Sequence, residues 1–264
     1  MTALAQGVRD GGIIAWRNLL NVRRNVDWLF AAVIQPIMFV LLFAYVFGGA
    51  LGGGAYREFL IAGIFVQTTA FNSAFTVIGL CNDLQKGIID RFRSLPMSQS
   101  AVLAGRTASD VVYNVLSLVI MALTGLLVGW RVHGTVLEAA AAFGLLLVFA
   151  YAVSWIMALV GVLVPSVEVI NNASFIVIMP LTFVSNAFVP IESFPTALQY
   201  FAEWNPVSAV TQATRELFGN TNPAAPVSDA WSMQHPAAYT LIWVVGILLV
   251  FVPLSVRQFK RTSK

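Results

Sequence analysis

Six stretches of the chain are almost wholly apolar over 20 to 26 residues each: Trp28–Phe47, Phe59–Cys81, Thr107–Gly129, Ala139–Val164, Val169–Val189 and Ala237–Val256. A helix of about 20 apolar residues matches the hydrocarbon thickness of a bilayer. A backbone in lipid must satisfy its own hydrogen bonds, which a helix does internally. The pattern predicts an all-α integral membrane protein with six transmembrane helices. Composition agrees: 58% of residues are apolar and 10% are charged, where a soluble domain carries about 25% charge. An ordinary soluble enzyme and a disordered chain are both excluded.

The first apolar run follows four arginines and exceeds the length of a signal-peptide core, so it reads as a retained anchor. No internal repeat or low-complexity linker divides the chain. One membrane domain over residues 1–264 is expected: an amphipathic segment at 1–27, six spans within 28–256, and a basic tail at 257–264.

The cations set the orientation. Twelve of the 15 Lys and Arg residues lie in three places: Arg9, Arg17, Arg23 and Arg24 before the first span; Lys86, Arg91, Arg93 and Arg106 between the second and third; Arg257, Lys260, Arg261 and Lys264 after the sixth. The other connections hold only Arg57, Arg131 and Arg215. Positive charge is retained in the cytoplasm, so both termini are expected there, as six spans require.

Three segments outside the spans carry pattern. In Gly12–Val26, Ile13, Trp16, Leu19, Leu20 and Val22 share a broad face opposite Arg17, Asn18, Asn21, Arg24 and Asn25, with Ile14 and Arg23 breaking the period. Such a helix suits the membrane surface, or is a basic flank that only sets orientation. In Asp83–Pro96, Leu84, Ile88, Phe92 and Leu95 form an apolar stripe on about three helical turns, and Pro96 halts it. That helix docks on lipid or on another protein; periodicity does not choose. The long connection Pro190–Pro236 holds two helical candidates, Ser193–Glu203 and Val207–Phe218, the first rich in Phe194, Tyr200, Phe201 and Trp204. An external hairpin dipping into the outer leaflet is expected, with a surface loop packed on the span ends as the alternative.

The chemistry that is missing narrows function. No acidic, basic or His residue occupies the expected span middles, with Asp110, Glu138 and Glu168 near their ends. Ion-coupled carriers place ionisable groups at the midplane, so secondary transport is disfavoured. His133 and His235 form no catalytic motif, lone Cys81 excludes an intrachain disulfide, and GxxxxGK[ST] is absent. The chain is not expected to be an enzyme or to bind a metal or cofactor of its own. Uncharged polar residues do enter the spans: Gln67, Asn72 and their neighbours with Phe71 and Phe75 in the second, Asn171 and Asn172 in the fifth. They bond helix to helix, or line a path for an amphipathic substrate.

At GIIDRFRSLPMSQSAVLAGR (Gly87–Arg106) and FVPIESFPTALQYFAEWNPVSAVTQATRELF (Phe188–Phe218) the sequence resembles the ABC type-2 exporter permeases, especially the bacterial daunorubicin-resistance-like branch. The carrying residues are Gly87, Asp90, Arg91, Arg93, Leu95, Pro96, Ser98 and Ser100, then Pro190, Pro195, Leu198, Asn205, Pro206 and Arg215. Asp90 stands where the family often has Glu, and Gln99 where it often has Arg.

The resemblance implies a complex of two permeases, a second copy or a paralogue, with two nucleotide-binding subunits that hold ATP and Mg. Gly87, Ile88, Asp90, Arg91, Phe92, Arg93, Leu95 and Pro96 would then form the coupling helix seated on the ATPase. Trp16, Arg17, Arg23 and Arg24 would belong to the connecting helix beside it. The implied function is export of a drug-like or lipid-like amphipath across the bacterial cytoplasmic membrane. The alternatives are a polysaccharide or glycolipid exporter, an ion-coupled carrier, and a scaffold without flux. Membrane lipids are further expected partners; nucleic acid is not.

Overall fold

The structure, a computed structural model, describes residues 3–24, 26–47, 53–88, 99–164, 167–221 and 228–261, side chains excepted at 3–8, 19, 21–24, 26–32, 47, 53–55, 75, 84, 99–100, 167–168 and 170–175. Every regular element among these residues is helical. Helix α1 (Ala3–Arg24) precedes α2 (Val26–Leu42), which runs on as a π-helical turn, Phe43–Phe47. Then come α3 (Gly53–Asn72), α4 (Ala74–Gln85), α5 (Gln99–Leu127), α6 (Val136–Leu163) and α7 (Val167–Phe183). A 3-10 turn, Ile191–Ser193, leads to α8 (Thr196–Glu203), α9 (Pro206–Phe218), α10 (Trp231–Gln234) and α11 (Pro236–Arg261).

Among the described residues, four helical stretches are long and apolar enough to cross a membrane: Tyr56–Asp83, Ala101–Leu127, Val136–Leu163 and Pro236–Arg261. They stand where the second, third, fourth and sixth spans were expected. At the places of the first and fifth lie α2 and α7, each of 17 residues and each with an internal proline, Pro36 and Pro180.

Helix α6 is the central post, packing on α11, α4, α9 and α5. Its sequence explains this: Glu138 is its sole charged residue, so it is apolar on every side. Thr135 and Glu138 close a capping box at its start, satisfying backbone N–H groups that the first turn leaves open. Beside it, Phe65 of α3, Trp130, Phe143 of α6 and Phe218 of α9 meet edge to face at centroid distances of 5.1 to 6.1 Å. Such pairs contribute about 0.5–1.5 kcal/mol each beyond area burial. The buried indole of Trp130 donates to Asn220 Oδ1 at 3.0 Å, so its N–H is satisfied.

Several boundaries depart from the sequence reading. The third span begins at Gln99 rather than Thr107, because Ala101, Val102, Leu103 and Gly105 pack inward and extend the helix. The second is broken at Ser73, whose hydroxyl donates to Thr69 O and Ala150 O while the backbone tightens into i→i+3 bonds. The helix expected over Asp83–Pro96 is not continuous. The span's own helix ends at Gln85, and Gly87 turns the chain with φ of +64°, a conformation that glycine adopts without strain. Leu84 therefore belongs to α4. The two outer helical candidates are present as α8 and α9, with Asn205 capping α9 through Val207 N and Pro206 at its first position.

Candidate functional site

One run of buried polar residues lies where α1 crosses α5 and reaches α4 through Arg17, at the end of the bundle that carries Gly87. Helix α1 lies on α5 at a crossing of small residues. A Cβ added at Gly105 would stand 2.6 Å from Gly11 O and 2.8 Å from Ile14 Cβ, so only glycine permits this approach. The face that α1 buries is Asp10, Ile14 and Asn18, spaced four apart, whereas Ile13 and Trp16 are exposed, Trp16 by 65%. This corrects the sequence reading: Ile14, which broke the apolar period, is the anchor, and Asn18 of the polar face points inward.

From this crossing a polar ladder climbs between α4 and α5. Arg17 Nη2 donates to Asp83 Oδ2 at 2.6 Å and to Asn18 Oδ1 at 2.8 Å. Asn18 Nδ2 reaches Ser109 Oγ at 3.3 Å, and Ser109 in turn donates to Arg106 O. One turn further, Arg106 faces Asp110 at 3.8 Å, and Thr76 Oγ1 donates to Asp110 Oδ2 at 2.5 Å. The Arg106 guanidinium lies in the space beside Gly79, where an added Cβ would displace it. Another turn on, Asn72 Nδ2 donates to Asn114 Oδ1 at 3.1 Å, and Asn114 is held by Asp110 O. Residues 72, 76 and 83 fall on one face of α3 and α4, and 106, 110 and 114 on one face of α5.

The ladder joins four things: the N-terminal helix, the lower half of the second span, the third span, and the turn at Gly87. Charged rungs in a low-dielectric interior resist separation, because pulling one partner away leaves the other uncompensated. Among the described residues no cluster of His, Cys, Asp and Glu could hold a metal.

A second polar knot closes the opposite end. Arg215 of α9 is 1% exposed. Its guanidinium donates to Phe59 O at 2.9 Å, Asn186 O at 2.6 Å and Ala187 O at 3.1 Å, and lies 3.5 Å over the Phe59 ring. Burial pulls its pKa down to about 9, which still leaves it a cation at neutral pH. Asn205 donates to Leu181 O and Val184 O, tying the start of α9 to the end of α7.

The residues expected to be functional divide as follows. Gly87 and Ile88 are described, at the turn leaving α4. Asp90, Arg91, Phe92, Arg93, Leu95 and Pro96 lie outside the described residues. Arg17 is in the ladder and Trp16 on the outer face of α1; the side chains of Arg23 and Arg24 lie outside the described residues. Gln67 and Asn72 are buried, Phe71 is half-buried, and the side chains of Phe75, Asn171 and Asn172 lie outside the described residues. Sequence reasoning missed the place of Asn18, Arg106, Asp110 and Asn114 in the ladder. The four-residue spacing of Arg106, Asp110 and Asn114 was the available signal, hidden by starting the span at Thr107.

Residues 11–218 match the model of the ABC-2 type transporter family. The chain is 35% identical over 250 residues to the daunorubicin resistance ABC transporter permease protein DrrB1 of Streptomyces coeruleorubidus, covering 94% of this chain and 85% of that one. It is 22% identical over 253 residues to a probable doxorubicin resistance ABC transporter permease protein, DrrC, of Mycobacterium tuberculosis, covering 94% and 87%. A putative transport permease, ycf38, of Pyropia yezoensis is 26% identical over 213 residues, covering 78% and 72%. The family match takes in both the ladder and the Arg215 knot, and the chain belongs to the ABC-2 type transporter family, as a multi-pass membrane permease.

Proposed function

We propose that this chain is the transmembrane subunit of an ATP-driven exporter that moves a drug-like or lipid-like amphipath out of the cytoplasm or inner leaflet of a bacterial plasma membrane. A separate nucleotide-binding subunit supplies the power, holding ATP and Mg, and two permeases assemble with two such subunits. Both termini, the Gly87 turn and the ladder face the cytoplasm. The observation that carries the reading is the ladder itself: Arg17–Asp83 and Thr76–Asp110–Arg106 bind the expected connecting helix and the segment entering the expected coupling helix into one mechanical unit. Similarity to a daunorubicin resistance permease over most of the chain supports the substrate class.

In this mechanism Asp90, Arg91 and Arg93 fix the register of the coupling helix on the ATPase, a role charges serve better than they serve affinity. Phe92 and Leu95 supply apolar contact. Closure of the ATPase pair displaces the Gly87 turn. Helix α4, separated from α3 at Ser73, then moves as a short lever that carries Thr76 and Asp83 with it. Gln67, Phe71, Asn72, Phe75, Asn171 and Asn172 line the substrate path. Gln67 Oε1 is buried with no hydrogen-bond partner among the described residues, which leaves it an acceptor to offer.

The test is reconstitution of the chain with its co-purifying ATPase in inside-out vesicles, following ATP-dependent uptake of daunorubicin. Uptake that needs ATP, and is lost in an Asp90→Ala, Arg91→Ala variant that still inserts, is the expected result. Uptake driven by an ion gradient without ATP would overturn the reading.

A further inference from the structure

The last helix ends in a surface that neither the ladder nor the outer knot uses. In α11, Ser255 and Phe259 point inward: Ser255 Oγ donates to Trp155 O at 3.2 Å, and Phe259 packs in a buried cluster with Ile14, Leu103 and Trp155. Anchoring positions 255 and 259 turns the opposite arc outward. There Pro253, Val256, Arg257, Lys260 and Arg261 line an open groove of about 760 Å³. Three cations thus share two adjacent turns, and none has a carboxylate partner among the described residues. Helix α11 itself contains no Asp or Glu.

Cations in a last helical turn also complement the helix dipole, and that role alone would explain one of them. Three around a groove exceed it. What stands above them on the same helix decides the partner. Leu249, Val250 and Leu254 are exposed, Leu249 by 72%, and only 17% of the helix's most apolar window is buried within the chain. From Leu249 to Arg261 the helix rises about 18 Å, passing from bare hydrocarbon to clustered cations. Exposed Trp16 and Ile13 flank Ile14 on α1, the residue that shares a buried cluster with Phe259. An exposed Trp marks headgroup depth, which puts the cations level with lipid phosphates.

We propose that the arc of Pro253, Val256, Arg257, Lys260 and Arg261 seats an anionic phospholipid of the cytoplasmic leaflet, its phosphate against the cations and its acyl chains along Leu254, Val250 and Leu249. A soluble protein partner would use the cations and leave the apolar column bare; a free anion would do the same. A phospholipid fits both parts at once, and juxtamembrane Lys and Arg attract anionic lipid.

The experiment is native mass spectrometry of the full chain in mild detergent with equimolar phosphatidylglycerol and phosphatidylcholine of identical acyl chains. It needs neither transport substrate nor ATPase, so its outcome is separate from that of the proposed function. The expected result is one retained phosphatidylglycerol, favoured about tenfold. That preference should fall to near parity in the Arg257→Gln, Lys260→Gln, Arg261→Gln variant and survive in Arg257→Lys, Arg261→Lys. Three results would overturn the proposal: no preference in the unaltered chain, a preference that the triple variant keeps, or displacement of the lipid by millimolar inorganic phosphate.

Discussion

Arg17 and Asp83 stand 66 positions apart and meet at 2.6 Å, with Arg17 Nη2 donating to Asp83 Oδ2. The contact fastens the N-terminal helix to the last turn of α4, two residues before that helix ends. Asp83→Asn removes the charge and keeps the shape. Because both side chains are partly exposed, 27% and 17%, the loss of stability is about 1 kcal/mol. On the proposed function, the larger effect falls on coupling: ATP hydrolysis continues while daunorubicin uptake drops several-fold. Paired measurements of the two rates, in Asp83→Asn and in Arg17→Gln, check this; equal losses in both rates would mean a purely structural pair.

Asp110 sits 11 residues into α5, about 16 Å along it, between Arg106 and Thr76. Asp110→Leu removes the carboxylate that faces Arg106 at 3.8 Å and accepts from Thr76, and costs about 3 kcal/mol. Asp110→Asn keeps an acceptor for Thr76 and costs less. Adding Arg106→Met to Asp110→Leu recovers part of the loss, since an apolar pair of similar volume replaces the charged one. Thermal unfolding midpoints in detergent report all three, and a double variant no better than Asp110→Leu would argue against the pairing.

At Gly105 two preferences oppose each other. Alanine is the better helix former by about 1 kcal/mol, yet its Cβ would stand 2.6 Å from Gly11 O. Backbone does not yield as a flexible side-chain tip does, so Gly105→Ala pushes α1 off α5. Limited proteolysis should cut α1 at least several-fold faster in this variant than in Gly12→Ala, where an added Cβ meets nothing within 4 Å.

Arg215→Lys tests the outer knot. The guanidinium reaches three carbonyls on two segments, and a single ammonium cannot reproduce that planar fork. Replacement leaves at least one buried carbonyl unsatisfied, at about 1–3 kcal/mol. The expected outcome is a lowered unfolding midpoint with faster proteolysis within residues 190–236.

The apolar runs made most of the helices legible, because length and hydropathy act over whole elements and tolerate local error. The ladder was less legible for a physical reason. Asn18, Arg106 and Asp110 are polar residues whose neighbours in sequence lie at a membrane surface, so periodicity assigns them outward. Only the approach of α1 through Gly11 and Gly105 turns them into interior groups. The break at Ser73 had no composition signal, since serine sits in helices when its hydroxyl bonds back to the preceding turn. Conversely, Asn205-Pro206 announced the start of α9, because capping is chemistry within a few residues and needs no distant partner.

The outer knot also has a temporal meaning. Arg215 is made after Phe59, Asn186 and Ala187, and its cation has no place to go until all three carbonyls are assembled. The guanidinium is fully satisfied only when the second span and the end of α7 have come together around it. The knot thus ties Phe59, early in the chain, to Arg215, 156 positions later, and its closure depends on residues that are all made before α9 is complete.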